Sequence, residues 1–151
     1  MRIESGGLHH PAVIALLQSH LQAAALHSPA ESIHALDLDA LRSPEITFWS
    51  VWNHAELMGC GALKALDAWH GEIKSMRTAS PYLRRGVAAA LMERIVDEAT
   101  QRSYRQLSLE TGSADAYIPA RRLYAKFGFV PCGPFADYVE DPYSLFMTRM
   151  L

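Results

Sequence analysis

Arg84-Arg85-Gly86 stands between a run that reads as a strand, Glu72 to Thr78, and one that reads as a helix, Val87 to Arg102. The peptide N–H groups that open a helix have no intrahelical acceptor and lie at the positive end of its dipole, so they favour an anion. Arg84 and Arg85 add fixed positive charge beside them. Gly86 lets the backbone approach a ligand more closely than a residue with a Cβ would. Strand, basic turn and helix in this order are suited to holding the phosphates of a cofactor. A pair of arginines is also, more plainly, a solvated basic patch.

The elements around this turn follow from periodicity. Ile3 to Ser5 reads as a short strand. Pro11 can open a helix with apolar positions Ile14, Leu17, Leu21 and Ala24, running to about Leu26. Between His27 and Arg42 the residues Ser28, Pro29 and Ser32 break regularity, while Leu36, Leu38 and Leu41 suggest a second short helix, and this segment is placed to line a substrate pocket. Glu45 to Trp52 is rich in β-branched and aromatic residues, Asn53-His54-Ala55-Glu56 supplies a turn, and Leu57 to Leu66 returns, which reads as a hairpin. With Glu72 to Thr78 it makes three successive antiparallel strands. The helix after Gly86 carries Val87, Leu91, Ile95 and Ala99 on one face. Arg105 to Glu110 is then a strand parallel to the one before that helix, Pro119 opens a further helix that Gly128 ends, and Phe129-Val130 and Leu145 to Met150 are the last strand candidates.

The chain has 151 residues, half of them hydrophobic and a fifth charged, with a formal net charge of -2. One domain over residues 1–151 with an ordinary core is expected. The charge gives no support for nucleic-acid binding, and no apolar run approaches the ~20 residues of a membrane span. The N-terminal Met1-Arg2-Ile3-Glu4-Ser5 lacks a signal-peptide core, so a cytoplasmic protein with Cys60 and Cys132 reduced is expected. Its seven histidines are scattered without metal-ligand spacing, and no metal is expected.

The order of strand, phosphate turn, helix, strand and helix, ending in Leu123-Tyr124-Ala125-Lys126-Phe127-Gly128-Phe129, resembles the GNAT superfamily of acyl-CoA-dependent N-acetyltransferases, most strongly from Glu72 to Phe129. The family's loop signature, Arg/Gln-x-x-Gly-x-Gly/Ala, falls on Leu83, Arg84, Arg85, Gly86, Val87 and Ala88, with Leu83 departing from it. The later signature, Asn-x-x-Ala-x-x-Leu-Tyr, falls on Tyr117 to Tyr124 and matches at Ala120, Leu123 and Tyr124, with Tyr117 in the place of the asparagine. The resemblance implies an α/β (α+β) fold: a mixed, mostly antiparallel central sheet with a splayed parallel strand pair and helices on both faces. It further implies that acetyl-CoA is the cosubstrate, that its pyrophosphate meets the amides of residues 83–88, and that Met76, Arg77 and Thr78 pair with its pantetheine amides.

Within that resemblance, Tyr124 is the expected acid for the departing sulfur, and Glu72, fourteen residues before Gly86, the expected base for the acceptor amine. Each has a plainer reading: Tyr124 as core packing beside Leu123 and Phe127, Glu72 as a solvated strand-edge carboxylate. Glu110, near where the parallel strands separate, is a second candidate for base or amine anchor, or else a partner for a nearby arginine. Asp137 and Tyr138, in the acidic and aromatic segment Asp137 to Tyr143, are candidates to shape the acceptor pocket, or belong to a solvated turn. The acceptor expected is a primary amine of a small molecule, and the final strands can pair across a homodimer. Two other functions fit parts of the pattern: a module that binds acyl-CoA and transfers nothing, and a dinucleotide-binding enzyme using Glu110 on a ribose. The second lacks the further glycines of Gly-x-Gly-x-x-Gly.

Overall fold

The computed structural model describes residues 1–151. Strands β1 (Arg2–Ser5), β2 (Ile46–Asn53), β3 (Glu56–Ala65), β4 (His70–Thr78), β5 (Gln106–Gly112), β6 (Val130–Cys132) and β7 (Ser144–Met150) form one sheet in the order β1-β2-β3-β4-β5-β7-β6. The β2–β3 hairpin turns through His54 at φ 53°, and β2, β3 and β4 are antiparallel neighbours. Only β4 and β5 run parallel, connected by helix α3 (Val87–Gln101). The mixed, mostly antiparallel sheet read from the sequence is the one observed. A doubly wound dinucleotide fold needs a run of parallel strands that this sheet does not have.

Helices cover both faces because strand residues alternate between them. Trp49, Val51, Leu63, Ile73, Leu107 and Leu109 pack on one side against Val87, Leu91, Ile95 and Ala99, the α3 stripe that the 3.6-residue period picked out. Helix α4 (Ile118–Lys126) adds Tyr124 to the same cluster. On the other side Phe48, Trp52, Cys60 and Ala62 meet helix α1 (Pro11–His27) and the short α2 (Leu38–Leu41). In α1 the deepest residues are Val13 and Leu17, with Ile14, Leu21 and Ala24 half-buried, a rotation of the expected stripe. Pro11 opens this helix as expected, and the His10 Nδ1 atom caps it by accepting from the Ala12 N–H at 3.1 Å.

The parallel pair is short. Ladder partners run from His70 with Gln106 to Ile73 with Leu109, and there they stop, although β4 continues to Thr78 and β5 to Gly112. A β-bulge in β4 accompanies the parting: Lys74 faces Ala62 and Arg77 faces Cys60, so Ser75 and Met76 together oppose Gly61. Ser75 takes φ 57° to make the bulge. A Cβ on Gly61 would stand 2.5 Å from the Met76 sulfur, so a larger residue there would have to displace the Met76 side chain. An extra residue bends and twists its strand, here away from β5, and leaves the cleft-side backbone of β4 beyond Ile73 without a neighbouring strand.

Candidate active site

The phosphate-loop reading acquires its geometry at the start of α3. Ser80–Tyr82 makes a 3-10 turn, Leu83 is exposed, Arg84 takes φ 63° and Gly86, the N-cap, takes φ 81°. Space around the Gly86 Cβ position is open, so glycine serves there for its left-handed backbone. Two left-handed residues in close succession turn peptide N–H groups toward one concavity, a form suited to anions. No side chain caps α3, and the first-turn amides of Val87 and Ala88 are left to a ligand or solvent. Arg84 and Arg85 are exposed beside them. The loop is held from behind: the Tyr82 hydroxyl donates to the Glu56 carboxylate at the start of β3, and the Arg85 guanidinium lies 5.6 Å from the Tyr82 ring centre.

On the other side of the splayed strands lies a cleft of about 130 Å³, with walls from α1, the segment after it, β4, the end of β5 and α4. Ser28, Ser32 and His34 line it, which is where the irregular stretch from His27 was expected to lie. Tyr124 is 8% exposed, with its ring edge-on to Phe129 and its hydroxyl unbonded to any protein group. It belongs both to the core and to the cleft wall, so its two readings are compatible. Burial, and after it the charge of Glu110, push the phenol up to about 12. The hydroxyl therefore keeps its proton throughout the neutral range.

Glu72 is not a solvated edge carboxylate. At 2% exposure it faces the cleft, because β4 is a central strand covered on both sides. Its Oε2 atom accepts from the Lys74 ammonium at 3.1 Å and from the Tyr138 hydroxyl at 2.5 Å, and Lys74 also donates to the Tyr138 oxygen at 2.9 Å. Both donors use the same carboxylate oxygen, and Oε1 has no protein donor. Burial and the Glu72 charge raise the Tyr138 pKa, so this phenol stays protonated. Lys74 was absent from the sequence-based site. The signal was available, since residues two apart on a strand share a face.

Glu110 is the first β5 residue beyond the last β4–β5 pair, and it lines the cleft. It forms no ion pair with lysine or arginine, so the plainer alternative of an arginine partner is not observed. Burial raises its pKa. The segment from Asp137 divides: Tyr138 reaches Glu72, while Asp137 is exposed and borders a separate depression with Glu45, Lys64 and Asp67. Tyr117 and Ala120 line the cleft. The Tyr117 ring lies so close over Gly112 that no Cβ fits there, and it stands 5.9 Å from the His27 ring of α1. Met76, Arg77 and Thr78 are half-buried past the bulge. No three His, Cys, Asp or Glu side chains come together as a metal site, and no helix is long and apolar enough to cross a membrane.

Comparison with known proteins meets this geometry from another direction. The model of the Acetyltransferase (GNAT) family matches residues 12–129. A Bacillus subtilis protein named as an uncharacterized N-acetyltransferase, YsnE, is 56% identical over 151 residues, covering 100% of both chains. An Escherichia coli K12 protein similarly named, YedL, is 50% identical over 149 residues, covering 99% of this chain and 94% of its own. Among solved structures, a GNAT family acetyltransferase from Elizabethkingia anophelis with acetyl-CoA bound superposes with a TM-score of 0.72 at 19% identity, over 99% of this chain and 97% of that one. That likeness supports the fold, and the family match and the two relatives supply the kinship: the chain belongs to the GNAT family of acetyltransferases.

Proposed function

We propose that the protein transfers the acetyl group of acetyl-CoA directly to a primary amine of a small molecule, within a ternary complex. The observation that carries this reading is the splayed β4–β5 pair, with an uncapped helix start beyond one side and a protonated, unbonded phenol beside two carboxylates on the other. Bound in that gap, acetyl-CoA would supply an acetyl group activated as a thioester. The residues present suit it. The amides of Val87 and Ala88, with Arg84 and Arg85, would hold its diphosphate, and the unpaired β4 backbone from Met76 to Thr78 would hold its amide-bearing arm. A peptide N–H from the same stretch is the candidate donor to the thioester oxygen.

The remaining steps concern protons. An alkylamine of pKa about 10 arrives charged and must lose a proton before it can attack. Glu72 assists that loss through its free Oε1 atom, directly or by way of a water, and Glu110 anchors the incoming ammonium. Tyr124 supplies the proton that the departing sulfur takes up. Lys74 and Tyr138 fix the rotamer of Glu72 and keep its charge compensated in a buried position. The test is release of free thiol from acetyl-CoA over a panel of amines, with mass spectrometry of the products. A product heavier by one acetyl group is expected. Thermal stabilisation by acetyl-CoA with no thiol from any acceptor would favour the binding module that transfers nothing.

A further inference from the structure

Arg77 differs from the other half-buried arginines of this chain. Arg102 donates to the Thr47 hydroxyl at 2.6 Å, Arg121 to the Gly112 carbonyl at 2.7 Å and Arg149 to the Phe127 carbonyl at 2.9 Å. Arg77 forms no ion pair and no side-chain hydrogen bond, and its Nε atom is buried without a partner. A guanidinium is always charged and presents five donors in a fixed fork. Taking such a group partly out of water without a partner is costly. Its placement on β4 is set by pairing with Cys60, which packs with Val13 and Leu17 of α1. The Arg77 side chain therefore lies on the α1 face of the sheet, opposite the face that carries α3 and the phosphate loop, and is not a second contact for diphosphate.

Its neighbours point the same way. Burial, and then the Arg77 charge, bring His20 down to about 4, so this cleft-lining imidazole is neutral and can donate or accept a hydrogen bond. Ser75, 7% exposed and lining the cleft on the same strand, has an Oγ atom with no hydrogen-bond partner. Across the gap on β5, Glu110 is a carboxylate that forms no ion pair, with the Lys74 and His34 charges acting on it only from a distance. Burial, and then the Glu110 charge, hold the proton on the Tyr117 phenol between these walls, and the Arg77 charge acts against them. Lys74 does not alter the pattern, because Glu72 already compensates it. The cleft thus has the Glu110 carboxylate in one wall and, just behind the lining residues Ser75, His20 and Tyr117, a guanidinium without an ion pair, Arg77, whose charge acts on His20 and Tyr117.

We propose that the acceptor is an amine that also bears an oxyanion, in the simplest case a carboxylate, held by Arg77 with Ser75 and His20 beside it while its amino group lies toward Glu110. This rests on the reading that the cleft takes an amine acceptor, and it narrows that acceptor to the amino-acid class. The planar fork of arginine matches a carboxylate in two parallel bonds. Losing a hydrogen bond to a charged group typically weakens an interaction about 10- to 100-fold.

The experiment compares α- and ω-amino acids, each with its carboxamide and its decarboxylated amine, by kcat/KM for thiol release from acetyl-CoA. The best acid should exceed its neutral partners at least about tenfold. Arg77→Gln should bring that ratio close to one, and Arg77→Lys should restore part of it. In parallel, the N-acetylated acids and their amides are titrated into the CoA-loaded protein by calorimetry, where the same preference and the same loss are expected. Neutral amines used as well as acids, or a preference that survives Arg77→Gln, overturns the proposal. If no amine releases thiol while the acid preference persists in binding, the transferase reading fails and the oxyanion subsite stands.

Discussion

Tyr124→Phe removes one oxygen and leaves the ring. Because that oxygen bonds no protein group, the core around Phe129 and Leu123 loses no hydrogen bond, and stability should move by no more than about 0.5 kcal/mol. The catalytic cost can be bounded from the raised pKa. A phenol at about 12 gives its proton to a thiolate, whose acid has a usual pKa of about 8.5, uphill by about 5 kcal/mol. Proton transfer from Tyr124 therefore lags behind cleavage of the carbon–sulfur bond, and its contribution in the transition state is that of a hydrogen bond to developing negative charge, about 1.5–3 kcal/mol. The expected loss in kcat is about 10- to 100-fold, smaller than the ~10⁴ at the upper end of general acid catalysis. Steady-state thiol release would measure kcat, calorimetry would measure affinity for CoA, and a thermal melt would check the fold. Wild-type kcat in a folded variant would take Tyr124 out of the mechanism. A fall of several degrees in Tm would show that the hydroxyl has a structural partner after all.

Three further outcomes follow from the geometry. Glu72→Gln leaves the buried Lys74 ammonium without a countercharge, a change that costs about 3 kcal/mol or more, so denaturant unfolding should show that loss; an unchanged midpoint would mean that the pair contributes nothing, and an unaltered pH–rate profile would assign deprotonation elsewhere. Glu110 is held above its usual carboxyl pKa of 4.5 by burial, so the folded state binds its proton more tightly, and stability from this group is complete below the unfolded value and lost as pH rises through the raised one. Glu110→Gln should accordingly raise Tm at pH 7, with the gain shrinking toward pH 4, and no gain at pH 7 would show that the carboxylate is well solvated. Gly86→Ala forces a Cβ into left-handed backbone at a cost of about 1–2 kcal/mol without steric collision, and should weaken CoA binding measured by calorimetry; undiminished affinity would remove the loop amides from the diphosphate site.

What could be read from the chain was whatever depends on nearby residues. The α3 stripe Val87, Leu91, Ile95 and Ala99, the hairpin around His54 and the turn at Gly86 are local patterns, and each holds in the structure. The burial of Glu72 was illegible because one strand does not state whether it is central or at an edge. Tyr138 reaches Glu72 across sixty-six residues of sequence separation, a pairing that no local period encodes. Helix α1 is apolar on several sides, from Ala12 to Leu26, so its period allowed more than one buried stripe. The bulge at Ser75 carries no glycine of its own; the glycine opposite it, Gly61, lies on the adjacent strand. Arg77 was named for its backbone, and only the folded chain shows that its side chain lacks an acid.

Four ladder positions, His70 to Ile73 against Gln106 to Leu109, are all the strand pairing between β1–β4 and β5–β7. The sheet is mechanically a pair of tweezers with its pivot at one end: Glu72 sits in the pivot opposite Ser108, Arg77 lies out on one blade, and Glu110 and the nearby Tyr124 belong to the other. A small rotation at that pivot would alter the spacing between Arg77 and Glu110, the two groups proposed to hold the ends of the acceptor. Substitutions at Gly71 or Leu107, remote from either ligand, can therefore tune turnover without changing a single residue that touches the reactants.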